Sequence, residues 1–97
     1  MQYEIRDPRC NSLFQKGDLV SLVPIGADKT NIILGSMSDD DLLSGPSVPE
    51  GTVCMVQGML EDPNITSESA YVVIMEHAGR LKNYWVYSSE MSLVVRP

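Results

Sequence analysis

The stretch YVVIMEHAGRLKNYWVYSSEMSLVV, residues 71–95, constrains the fold more than any other part of the chain. Its first apolar run stops at Ala78-Gly79-Arg80, where glycine permits the positive φ of a tight reversal. An aromatic run, Tyr84-Trp85-Val86-Tyr87, follows. The polar residues Ser88-Ser89-Glu90 then separate it from Met91-Ser92-Leu93-Val94-Val95. β-Branched and aromatic runs of this length, cut by turn residues, predict a strand, a tight turn, a second strand, a short turn and a last strand.

Upstream, Lys16-Gly17-Asp18 reads as a turn and Leu19-Val20-Ser21-Leu22-Val23 as a strand, closed by Pro24 because proline cannot donate to a ladder. Residues 51–60, GTVCMVQGML, predict the next strand, kinked or bulged near Gly58. Between them residues 24–51, rich in glycine and proline, form a long first loop that the apolar residues 32–34 tuck onto the body. Within it Ser38 can cap one helical turn whose Asp39, Asp40 and Asp41 lie at the positive end of the helix dipole. Residues 61–69 read as a polar loop around Pro63-Asn64. Asp7-Pro8 breaks regular structure, so residues 1–15 read as an N-terminal arm with a short strand at 2–5, and residues 16–97 as a single domain. About five strands and no long amphipathic helix predict an all-β sandwich or barrel.

A chain of 97 residues with 43% hydrophobic content supports one core rather than two. No apolar run reaches the roughly 18–20 residues that span a bilayer, and the opening MQYEIRDPRCN lacks the apolar centre of a secretory signal. These features lead to the expectation of a cytoplasmic protein, of a cell or an infected host, with no membrane partner. In that compartment Cys10 and Cys54 are expected as unbridged thiols, Cys54 buried in its apolar strand. The sequon Asn64-Ile65-Thr66 needs the secretory route and is discounted. The net charge of −6 arises in residues 31–70, where Asp39, Asp40, Asp41, Glu50, Glu61, Asp62 and Glu68 face no lysine or arginine. Such a segment repels phosphate backbones and argues against direct nucleic-acid binding. It suits a protein partner with a basic surface.

Lys16-Gly17-Asp18-Leu19-Val20, Gly51-Thr52-Val53, Gly79-Arg80 before Trp85, and the closing Ser88-Ser89-Glu90-Met91-Ser92-Leu93-Val94 together resemble a small SH3-like barrel of the bacteriophage and bacterial type. The likeness covers residues 16–95. It implies a five-stranded barrel with one 3-10 turn before the last strand, and it extends to a virion-associated protein. The chain departs from that layout in its long, acidic first loop, and it lacks the basic character of nucleic-acid-binding barrels.

The chemistry-bearing residues fall short of catalytic or metal constellations. Asp39, Asp40 and Asp41 are consecutive and so point in different directions, without the spacing of a calcium loop. His77 has no nucleophile or orienting partner at recognisable spacing. No cofactor, metal or catalytic residue is expected. The aromatic run carries more information. Alternation puts Trp85 and Tyr87 on one face and Tyr84 and Val86 on the other. One face fills the interior. The other is either covered by the long loop, through residues 32–34 or Leu42 and Leu43, or exposed for protein contact. The expected function is a non-enzymatic interaction or assembly module whose contact centres on Arg80, Lys82, Tyr84, Trp85 and Tyr87. The alternative is an acidic mimic of a phosphate backbone that uses Asp39, Asp40, Asp41, Glu61 and Asp62 to occupy a nucleic-acid-binding protein.

Overall fold

The computed structural model describes residues 4–6, 12–26, 30–36, 46–61 and 70–97. They form nine strands: β1 (Glu4–Arg6), β2 (Leu19–Leu22), β3 (Asn31–Ile33), β4 (Gly35–Ser36), β5 (Ser47–Pro49), β6 (Val53–Glu61), β7 (Ala70–His77), β8 (Arg80–Tyr87) and β9 (Met91–Val95). The fold is all-β. Among the described residues the one helical element is the 3-10 turn Ser88–Glu90, set before the last strand as the sequence predicts. None of their helices is long and apolar enough to cross a membrane.

Seven strands build one antiparallel sheet in the order β4-β8-β7-β6-β2-β9, with β1 also on β6, while β3 and β5 form a separate ribbon. Two expectations need correction. Among the described residues the strands number nine rather than about five, because the long first loop contains β3, β4 and β5 and the N-terminal arm supplies β1. A buried or packed loop must pair its backbone groups, and this one does so internally: Leu34 N–H donates to Pro46 O at 3.1 Å and Glu50 N–H to Thr30 O at 3.0 Å. The sheet is also open rather than a closed barrel, since the outer edge of β8 is taken by the two-residue β4 and not by β9. The helical turn expected after Ser38 lies outside the described residues.

β6 bends the sheet. Its first residues pair with β2, from Ser21 opposite Val53 to Leu19 opposite Met55, and its last pair with β1, from Arg6 opposite Met59 to Glu4 opposite Glu61. Between these halves the register against β7 shifts, with Val56 opposite Val73 but Gly58 opposite Val72. Gln57 is the extra residue of a bulge, at the kink expected near Gly58. β7 and β8 close in a two-residue turn, with His77 opposite Arg80. Ala78 and Gly79 hold φ at 54° and 78°, the pair of positive values that matches the twist of the flanking strands.

The turn entering β2 explains its glycine and its aspartate. Gly17, at φ 94°, turns its N–H to Val56 O at 2.9 Å, and Asp18 O accepts the N–H of Val56 at 2.9 Å. The Asp18 carboxylate is buried. It accepts the N–H of Gln15 at 2.9 Å and a two-pronged contact from Arg96, with Nη2 at 2.9 Å and Nε at 3.2 Å from Oδ2. Arg96 Nη2 also donates to Leu13 O at 2.9 Å. One side chain thus ties the exit of β9 to the turn before β2.

Period two sorts the apolar residues onto two faces. Val20, Leu22, Val56, Val73 and Val86 point into the main core, and Ile32, Leu34 and Val48 from the first loop cover them. Phe14 completes that core with its ring edge-on to Tyr71, centroids 5.2 Å apart.

Candidate functional site

The last hairpin does not present the expected residues as one group. Tyr84 is buried in the main core with Val86, so its side chain supports the hairpin rather than offering contact. Lys82 is opposite Met75, a core residue, and Arg80 has the same parity. Both cations therefore lie on the Tyr84 side of the strand, exposed beyond the end of the core. Trp85 and Tyr87 take the opposite face, as alternation requires. Their rings meet edge-on at 5.3 Å and 84°, half-buried against Leu60, Ala70 and Val72.

Trp85 gains its cover from the neighbouring strand. Gly35 is its cross-strand partner, and the indole lies across it so closely that a Cβ at Gly35 would collide with the ring at Cε2. An aromatic ring laid over a glycine at a sheet edge replaces the side-chain packing that glycine lacks. The long loop thus touches the outer face through Gly35. Ile32 and Leu34 belong to the main core instead, and Leu42 and Leu43 lie outside the described residues.

Beside this pair runs a row that sequence reasoning missed. Directly opposed residues share a face, and Asn83, Ile74, Met55, Leu19 and Val95 are opposed in turn across β8, β7, β6, β2 and β9. Four of the five are apolar, and Met55 and Val95 are 41% and 52% exposed. Val53, on the same face two residues before Met55, is 53% exposed. Both faces of Val53-Cys54-Met55-Val56 are apolar, the signal in the sequence for an apolar outer side.

Three further titratable groups, Asp18, Arg96 and Cys54, are tied to structure. Hydrogen bonding from Arg96 holds the Asp18 carboxyl below its ordinary range, against burial, which pushes the other way; the Gln15 N–H adds to the lowering. The same bond raises the Arg96 pKa. Cys54 is a free thiol in the core, and burial pushes it up to about 12, far from a nucleophile's thiolate. Among the described residues no cluster of three histidine, cysteine or carboxylate groups could hold a metal ion. A cleft of about 410 Å³ is lined by Ile25, Asn31, Ile33, Ser47 and Glu90. Asp39, Asp40, Asp41 and Asp62 lie outside the described residues. Glu61 is placed by its backbone alone, opposite Glu4.

No protein-family model matches the chain, and no curated protein or solved structure matches it either.

Proposed function

We propose that the protein is a non-enzymatic interaction or assembly module of SH3-like layout, and that it binds another protein through the outer face of its sheet. The observation that carries the reading is the uncharged row Ile74, Met55, Leu19 and Val95 beside the Trp85–Tyr87 pair. Apolar surface of this kind marks contact sites, and tryptophan and tyrosine dominate their energetics. The SH3-like assignment is supported by the bent β6 shared between two partners and by the 3-10 turn that returns β9 to β2. Arg80 and Lys82, on the Tyr84 side of β8, lie outside this contact. The chain's net charge of −6 favours a partner that is basic around an apolar centre.

Met55→Lys tests the reading. The residue is exposed, so the variant is expected to melt within about 2 °C of wild type and to lose the partner that wild type retains in affinity capture from source cells. Capture by wild type is expected to persist in about 0.5 M salt. Capture that survives Met55→Lys but disappears in salt would instead assign the contact to the acidic segment.

A further inference from the structure

β9 pairs with β2 along one edge and, among the described residues, with no strand along the other. Its neighbours fix where its free backbone groups point. Val23 N–H donates to Glu90 O at 2.9 Å, whereas Leu22 N–H turns away from β9 to Thr52 O at 2.8 Å. Bonded and non-bonded pairs alternate in an antiparallel ladder. With Ser21 opposite Ser92 and Val20 opposite Leu93, the N–H and C=O of Leu93 therefore point out of the sheet. The N–H of Met91 is already bonded to Ser88 O. Leu93 is the centre of the open edge, and its side chain is 45% exposed.

Natural sheets blunt such edges with lysine, proline or inward charges. Met91-Ser92-Leu93-Val94-Val95 contains none of these. The register shift that leaves Val94 unpaired on β2, and Pro97 beyond it, confine any added strand to this segment. Charge adds a second argument, for the kind of strand. Residues 19–23, 51–60 and 91–95 carry no charged side chain, and Arg96 is bound to Asp18. The net charge of −6 is carried elsewhere, so two copies meeting at this edge bring no like charges face to face. A strand whose central residue offers both N–H and C=O is also complementary to itself. Run antiparallel about a twofold axis, two copies exchange a pair of N–H···O bonds between their Leu93 residues.

We propose that the protein forms a symmetric dimer by antiparallel β9–β9 pairing centred on Leu93. The pairing extends one sheet through both copies and packs the two Leu93 side chains side by side, since opposed residues share a face. A twofold axis normal to the sheet also places both outer faces on one side. This goes beyond the contact face proposed above, because the edge pairs whether or not that face holds a partner.

Sedimentation equilibrium of the full chain from about 1 µM to 1 mM is expected to show the mass doubling with concentration, and exchange of the Leu93 amide to slow in step. Leu93→Pro removes an N–H that β2 does not use. Val94→Lys places a charge on the edge without altering the backbone, and it decides the matter if the proline variant does not fold. Each is expected to keep a folded circular dichroism spectrum and to weaken the dimer at least about tenfold. A monomer at the highest concentration, an unchanged dimer in Val94→Lys, or a dimer whose Leu93 amide exchanges freely would overturn the proposal. So would a dimer lost in Met55→Lys and kept in Val94→Lys, which would move the association to the outer face.

Discussion

Ala78 holds φ at 54° in the β7–β8 turn, a left-handed conformation that costs an alanine roughly 1 kcal/mol because its Cβ crowds the following carbonyl. Asparagine tolerates that region and is favoured at the first position of such turns. Ala78→Asn is therefore expected to raise stability by about 0.5–1 kcal/mol, measured by denaturant titration, without altering the outer face. Gly35 has the opposite constraint: its backbone is unstrained but its missing Cβ is where the Trp85 ring lies. Gly35→Ala is expected to cost roughly 1–3 kcal/mol through overpacking. Because Trp85 is the chain's one tryptophan, its displacement reads directly in fluorescence, as a red shift with stronger quenching. An unchanged emission maximum would mean that the ring does not depend on Gly35 for its position.

At the scale of elements, the legible parts were those whose signals are local. Gly79 between two β-rich runs specifies the hairpin, and Lys16-Gly17-Asp18 specifies a turn whose glycine and aspartate have the roles found. β3, β4 and β5 were not legible, because segments of two or three residues contain no period to read. The outer row was hidden for a different reason: Met55 and Val95 become neighbours only through Leu19, and that register depends on pairings made across most of the chain. The Asp18–Arg96 clasp is the extreme case, joining residues 78 apart. Its consequence is a pH dependence. Unfolded, Asp18 titrates near the ordinary 3.8, and folded it titrates lower. The unfolded chain thus binds more protons in that window, and stability rises with pH through it. The contribution is fully present above 3.8 and is lost as pH falls through the folded value. Asp18→Asn is expected to cost about 1–3 kcal/mol at pH 7. The gap to wild type should narrow in acid, below pH 4. A gap that stays constant to pH 2 would mean the carboxylate's charge contributes nothing beyond its shape.

Across the whole molecule the strands are unequally held. β7 has a long strand on either side and its Val72 and Val73 are fully buried, whereas β9 has one neighbour and exposes every residue after Met91. Regions with few buried contacts open below the global unfolding free energy. What resists that opening at β9 is the Ser92–Ser21 pairing and the clasp of Arg96 on Asp18 and Leu13. Removing the clasp should therefore release β9 as a unit while leaving the hairpin core in place. Arg96→Ala is expected to speed amide exchange at Ser92 by about tenfold or more at neutral pH, in dilute solution where chains are monomeric. Exchange at Val72 and Val73 should stay near its wild-type rate, because neither residue touches the clasp. If the amides of β7 accelerate by the same factor as Ser92, then β9 is part of the global folding unit and its single-sided pairing does not make it the weak edge of the sheet.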